Sequence, residues 1–220
     1  MSKPNKFKIT AFRAYENVDR CWEYLKGHHK VLQEHGLTHM LTFNEKWLFE
    51  RNNIIVALCD MHNDQIYGGL RIQVRHQKDL PFEQTLKRLK LNLDDHIPRI
   101  NDVELCGLWH SKNVSGLNLS LTMSQFAYSV AQAVINGRVF MFNAKYTFHI
   151  PQTMKFNVYD KIGINGNIEY PNEHFLACIW QNPRTDAALS QLQALDYATM
   201  VPQTSEYIDN EICYKTNIEL

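Results

Sequence analysis

One stretch of this chain places reactive side chains at a spacing that means something. Residues 102–118, DVELCGLWHSKNVSGLN, set a carboxylate, Glu104, and an imidazole, His110, along one apolar run. A polar loop with a single glycine, Gly116, follows and leads into a helical pattern. A carboxylate among apolar neighbours loses hydration, which raises its pKa toward neutrality, and an imidazole titrates there unaided. The loop offers something different. Where a loop enters a helix, the first backbone N–H groups have no intrahelical partner and the dipole presents its positive end, a setting that suits phosphate. The same residues also fit an ordinary strand–helix joint that holds a core together. Glu104 fits equally a carboxylate at a solvent edge or one paired with Arg71.

Other reactive groupings are weaker. His28, His29, His35 and His39 invite a metal, but Gly27 and Gly36 interrupt the helix that would align them. No metal is expected. No Gly-x-Ser-x-Gly elbow and no Walker pattern occurs.

The elements that must hold these groups follow from periodicity. Residues 6–14 alternate as a strand, and 16–36 carry a helical pattern with a break expected at Gly27 and a stop at Gly36. NIIVALCD and IYGGLRIQV, joined by a short polar turn, predict a hairpin, with a bulge or close backbone approach at Gly68 and Gly69. Residues 80–100 read as helix ending before Pro98. Leu119, Met123, Phe126, Ala127, Val130, Ala131 and Val134 form one apolar helical face, with Gly137 at the place of a left-handed cap. RVFMFNA is a buried strand, and residues 153–161 continue a helix begun at Pro151 and stopped by Gly163. Residues 168–170 and 174–180 are two last strands, and 186–197 form a further helix. The order is that of a mixed α/β sheet.

Composition narrows the function. The chain has 220 residues, enough for one substantial domain, and Lys plus Arg equals Asp plus Glu at 23 each. A zero balance gives no electrostatic case for nucleic acid or an anionic membrane. The five cysteines are dispersed without CxxC spacing, which favours a reducing compartment. The N-terminus lacks a signal-peptide core and no apolar run reaches spanning length, so a cytoplasmic protein is expected.

Three segments in order resemble the GNAT acyltransferases: QIYGGLRI their third strand, NVSGLN their phosphate loop, and NVYDKIGI a late segment with Tyr159 and Gly163 at the matching places. In the loop, Asn113 stands where Arg or Gln is usual and Asn118 where Gly or Ala is usual; Gly116 matches, and Lys112 can supply charge. A narrower resemblance joins Gly68 and Arg71, then VELCGLWHS, to the acyl-homoserine-lactone synthases and related N-acyl amino acid synthases. Their Glu-Leu-Ser-Arg-Phe strand reads Glu104-Leu105-Cys106-Gly107-Leu108 here, with the glutamate kept and the arginine replaced by Gly107.

The resemblance implies a GNAT-like, mostly antiparallel central sheet with helices on both faces. It covers residues 1–180 as the acyltransferase domain, leaving 181–220 as a C-terminal extension packed on it. It also implies transfer of an acyl group from acyl-CoA or acetyl-CoA, with acyl-carrier protein as an alternative donor, to a small-molecule amine. In that reading Glu104 is the base, with His110 a second choice, and Tyr159 is the acid facing the thioester sulfur. Leu108, Trp109 and His110 polarise the carbonyl through backbone N–H groups. Lys112, Asn113, Val114, Ser115, Gly116, Leu117 and Asn118 hold the cofactor's phosphates. Met123, Phe126 and Phe142 are expected to line an acyl tunnel. An oligomer is compatible with this reading. The rival is a GNAT-fold module that binds a thioester or a partner protein without turnover. Because a side chain at Gly116 would block backbone approach to a pyrophosphate, Gly116→Val is expected to weaken thioester binding. Loss of thermal stabilisation by coenzyme A in a folded variant checks it.

Overall fold

The computed structural model describes residues 7–37, 45–91, 98–114, 118–134, 137–170, 176–182, 205–208 and 211–214. Eight strands form one sheet: β1 (Phe7–Arg13), β2 (Asn53–Asp60), β3 (Ile66–Val74), β4 (Val103–His110), β5 (Val139–Ala144), β6 (Asn157–Val158), β7 (Ile168–Glu169) and β8 (Leu176–Gln181). The spatial order is β1-β2-β3-β4-β5-β8-β6, with β7 also paired to β8. Every pairing is antiparallel except β4 with β5. A separate hairpin, β9 (Ser205–Ile208) with β10 (Glu211–Tyr214), lies against β1. The helix expected at 186–197 lies outside the described residues.

β2 is apolar throughout because both of its faces are covered. Ile54, Val56 and Leu58 point into one core, and Ile55, Ala57 and Cys59 into the other. On the first face lie α3 (Leu119–Val134) and α4 (His149–Thr153). The expected stripe of α3, from Leu119 through Met123, Phe126, Ala127 and Val130 to Ala131, is buried there. On the opposite face α1 (Val18–Glu34) covers β1 to β4, and α2 (Pro81–Arg88) covers β5, β7 and β8 through Leu86, Phe82, Phe140, Ile168 and Ile179.

Several expectations need correction. Gly27 does not break α1, which runs unbroken from Val18 to Glu34. Its missing side chain admits the Trp109 ring, whose Cη2 lies 2.0 Å from where a Cβ would sit. Gly36 does end the helix in a left-handed conformation, φ +69. Gly137 is not a left-handed cap. It is glycine because a Cβ would lie 1.8 Å from the Asn101 carbonyl oxygen. Among the described residues, helix in the 80–100 stretch is confined to α2, which opens on Pro81 and is followed by Lys90 at φ +58. α4 is short and ends at Thr153, so residues 154–161 are not helical; Asn157–Val158 pairs instead with Gln181 and Trp180 of β8.

In an exposed helix Ala is favoured over Gly by about 1 kcal/mol. Overpacking a rigid core ring costs about 1–3 kcal/mol. Gly27→Ala is therefore expected to lower Tm, and by more than Gly36→Ala, where open space surrounds the added methyl and only the left-handed backbone opposes it, at about 1 kcal/mol. Thermal denaturation of the two variants checks the order.

Candidate active site

β4 and β5 are paired only at their starts, through Val103↔Val139, Glu104↔Phe140 and Leu105↔Met141. The base of this pair is held by a buried ion pair. Asp102 accepts from the Arg138 backbone N–H at 2.9 Å, its Nε at 3.0 Å and its Nη2 at 2.5 Å, and from the Arg99 N–H at 2.7 Å. Beyond Leu105 the strands part because β4 changes course at a bulge. Between β3 and β4 the register steps from Gly69↔Trp109 to Arg71↔Cys106, two residues on one strand against three on the other. The extra residue is Gly107, at φ +63, where a Cβ would also meet the Tyr24 hydroxyl at 2.6 Å. The bulge inverts the alternation of β4. Val103 and Leu105 face the α3 core, yet Trp109 faces α1.

The gap is a cleft of about 330 Å³, lined from β3, β4, β5, α1, α2 and the turn after β5. Glu104 stands at its floor, 2% exposed. One carboxylate oxygen accepts the Phe82 N–H at the start of α2, at 2.9 Å; the other has no hydrogen-bond partner among the described residues. Burial pushes its pKa up to about 8, against the opposing pull of that N–H and of Arg71.

Arg71 and Cys106 line the wall beside it. The Arg71 Nε donates to the Cys106 Sγ at 3.3 Å, and the guanidinium lies 4.5 Å over the Trp47 ring. No carboxylate pairs with Arg71 among the described residues. Burial pushes the Cys106 thiol up to about 11, so it stays protonated. From α1, one turn apart, come Tyr24, which donates to the Gly107 carbonyl at 2.6 Å, and His28. Burial first, then the charges of Arg71 and His29, hold the His28 imidazole down to about 4. From β5, Asn143 lines the cleft; its Nδ2 donates to the Thr147 Oγ1 at 3.0 Å, while its buried Oδ1 has no partner among the described residues.

Of the catalytic and cofactor-binding residues singled out in sequence, Glu104 and Leu108 reach the cleft. His110 does not line it; its Nδ1 lies 3.2 Å from the Ser111 carbonyl oxygen. Trp109 is packed under α1, and Val114 is buried in the α3 core. Lys112 is ion-paired to Glu34 at 3.3 Å, and the Asn113 N–H donates to the Ser111 Oγ at 3.1 Å. Ser115, Gly116 and Leu117 lie outside the described residues. Asn118 is left-handed at φ +54, a conformation Asn tolerates better than most, and its carbonyl accepts the Thr122 N–H in the first turn of α3. Tyr159 follows β6, packs on the α2 side with Ile162 and Ile168, and is not among the cleft-lining residues. Met123 and Phe126 are core residues away from the cleft, so of the expected tunnel only Phe142 lines it. Trp47, Asn143 and Tyr146 are cleft residues that the sequence reading missed, and His28 entered it only as a metal-ligand candidate. The alternation of β5 places Asn143 among apolar neighbours, the one signal that could have found it.

The raised pKa has a consequence for stability. An unfolded chain releases the Glu104 proton near the ordinary 4.5, whereas the folded one holds it until about 8. Between those values the folded state binds more protons, so its stability falls as pH rises through the window. Glu104→Gln, which keeps an acceptor for the Phe82 N–H, is expected to melt several degrees higher than the parent at pH 8, with the gap closing toward pH 4.5. Thermal melts across that range check the sign.

No family model matches the sequence, and no curated protein does either. Solved structures do match. An acyl-CoA N-acyltransferase from Pseudomonas aeruginosa superposes with a TM-score of 0.56 at 10% identity, over 80% of this chain and 99% of that one. BjaI, a CoA-dependent acyl-homoserine lactone synthase solved with SAM and isopentyl-CoA, gives 0.58 at 11% identity over 86% and 88%. MesI, another CoA-dependent acyl-homoserine lactone synthase, gives 0.56 at 11% over 84% and 93%. With its mostly antiparallel sheet, its parted β4 and β5 and its helices on both faces, the chain has the GNAT fold that these acyl-CoA N-acyltransferases and lactone synthases share.

Proposed function

We propose that the protein is an N-acyltransferase that moves an acyl group from acyl-CoA to a small-molecule amine, and that this amine also carries a carboxylate. The observation that carries the reading is the cleft between β4 and β5, where an unpaired guanidinium and a desolvated carboxylate share one wall. A half-buried cation with no carboxylate in direct contact is poorly compensated, and an anionic group on the acceptor would pair with Arg71 there. The adjacent Glu104 is then placed for the ammonium. Asn143 offers its free Oδ1 to an amide N–H, a group the pantetheine arm of the donor supplies. The acceptor is thus of the amino acid kind, as in the N-acyl amino acid synthases that the sequence resembles.

The chemistry follows from these placements. The ammonium gives one proton to Glu104, and its lone pair then attacks the thioester carbonyl carbon. On collapse the C–S bond breaks, the sulfur leaves with the electron pair, and the second proton lost by nitrogen balances the one gained by sulfur. Tyr146, in the turn after β5, is the cleft-lining phenol best placed to hand sulfur that proton. Its side chain is mostly exposed, and partial desolvation raises its pKa, which keeps it protonated. Tyr159 is the alternative acid. Four described cysteines are free thiols, consistent with a cytoplasmic setting, and no helix among the described residues is long and apolar enough to cross a membrane.

A second reading, a module that binds a thioester without turnover, draws on the loop before α3, where Lys112 is engaged by Glu34 and the Asn113 N–H by Ser111. Thermal shift and product mass spectrometry against acetyl-, octanoyl- and carrier-protein-bound acyl donors with a panel of amino acids and simple amines separate the two. Amide formed fastest from an amino acid supports the proposal. Stabilisation without product supports the module, and simple amines acylated as well as amino acids would remove the role given to Arg71. General acid catalysis is worth about a hundredfold or more. Tyr146→Phe is expected to lower kcat by that order while leaving coenzyme A binding intact, and Tyr159→Phe to keep turnover; the reverse outcome would return the acid to Tyr159.

A further inference from the structure

We propose that His28, reaching over from α1, donates its ring N–H to the carbonyl oxygen of the bound thioester and polarises it for attack. This rests on the acyl-transfer reading above. The placement is the first argument. A thioester can reach the cleft floor only where β4 has left β5, which begins at Cys106 and Gly107. The His28 ring lies over that bulge. A Cβ on Gly107 would meet the Tyr24 hydroxyl at 2.6 Å and lie in ordinary contact with the imidazole, 3.7 Å from its Cε1 and 3.9 Å from its Nδ1, so the ring borders the space above the bulge. In the strand that this segment resembles, an arginine stands at that position. Here glycine leaves it open and the polar group arrives from the opposite element.

The second argument is what the ring lacks. His28 lines the cleft, and neither ring nitrogen has a hydrogen-bond partner among the described residues. The Gly107 carbonyl on the bulge accepts from the Tyr24 hydroxyl at 2.6 Å and makes no hydrogen bond with the imidazole. Tyr24 also sets the ring's approach, since the two lie one helical turn apart with centroids 6.1 Å apart. A free donor held by a rigid helix over the only gap in the strand pair is the arrangement that electrostatic stabilisation of an oxyanion needs.

The third argument is the protonation state. Burial and the neighbouring charges of Arg71 and His29 keep the imidazole neutral at working pH. Such a ring is too weak a base to take the ammonium proton, which is left to Glu104, but it retains one N–H. A neutral imidazole polarising a carbonyl is an established enzymatic device.

Carbonyl-13C-labelled acetyl-CoA without amine tests this by infrared spectroscopy, with kcat measured in parallel on the acceptor found above. The carbonyl band is expected at lower frequency on the parent protein than in solution. In His28→Phe, which keeps an aromatic ring against Tyr24, the band should return toward its solution position and kcat should fall about a hundredfold, while acetyl-CoA still stabilises the fold. His28→Asn, which restores an N–H, should recover part of both. An unshifted band on the parent protein would overturn the inference without needing any variant. So would a full kcat in His28→Phe, or a rise in amine KM with kcat unchanged in both variants, which would assign the ring to the acceptor. If neither acetyl-CoA nor coenzyme A stabilises the parent protein, the acyl-transfer reading has failed, and this inference falls with it. If binding and turnover are present and only the band fails to move, the reading stands and His28 is excluded.

Discussion

The site depends on two strands that are locked at one end and forced apart at the other. The lock is Asp102, which spends both carboxylate oxygens on Arg138 and the Arg99 N–H at the start of β4 and β5. The wedge is the single extra residue at Gly107. A parallel pair that continued to Ala144 would close the sheet and bury Glu104 with no space in front of it. A pair without the lock would lose its three rungs. A buried ion pair contributes little net stability compared with an apolar replacement. What this one contributes is register, because Arg138 bonds through both its backbone and its side chain.

The wedge also decides which groups meet. By reversing the alternation of β4 it turns Trp109 toward α1, where only a glycine at position 27 leaves room for the ring. That contact lets α1 sit close to the sheet, and the same face of α1 then supplies Tyr24 and His28 to the cleft. A backbone irregularity in one strand thus has a conformationally cheap consequence in a helix far away in sequence. The cost lies in the polar groups gathered there. The raised pKa of Glu104 opposes folding at neutral pH, and the three apolar clusters around it carry the stability that makes this tolerable.

The strands and α3 were legible in the sequence because each is set by local periodicity. β2 and β3 read as a hairpin, α3 as an apolar stripe, and Glu104 as a desolvated carboxylate, all from neighbours within a few residues. What failed depends on contacts between elements. Gly27 and Gly137 carry the same letter as helix breakers and caps, yet each is glycine because a distant group, the Trp109 ring or the Asn101 carbonyl, comes too close for a side chain. The helix expected over 153–161 was lost to pairing with β8, a partner supplied by tertiary structure. Tyr159, which the resemblance at NVYDKIGI marked, follows the short strand β6 and packs on the α2 side. His28 looked like one member of a histidine cluster, and nothing in its own neighbourhood announces that it faces a gap between two strands.

The two walls of the cleft differ in a way that orders the reaction. β3, the first half of β4 and α1 contribute charge and aromatic rings: Arg71 on Trp47, Glu104, and His28 beside Tyr24. β5 and the turn after it contribute neutral groups, an amide oxygen at Asn143 and hydroxyls at Tyr146 and Thr147. In the reading proposed above, a zwitterionic acceptor would meet the first wall and an uncharged pantetheine arm the second, facing each other above the last rung at Leu105 and Met141. In that same reading, an ammonium brought against the Glu104 carboxyl, whose pKa is raised to about 8, would favour loss of the carboxyl's proton and so its ionised form.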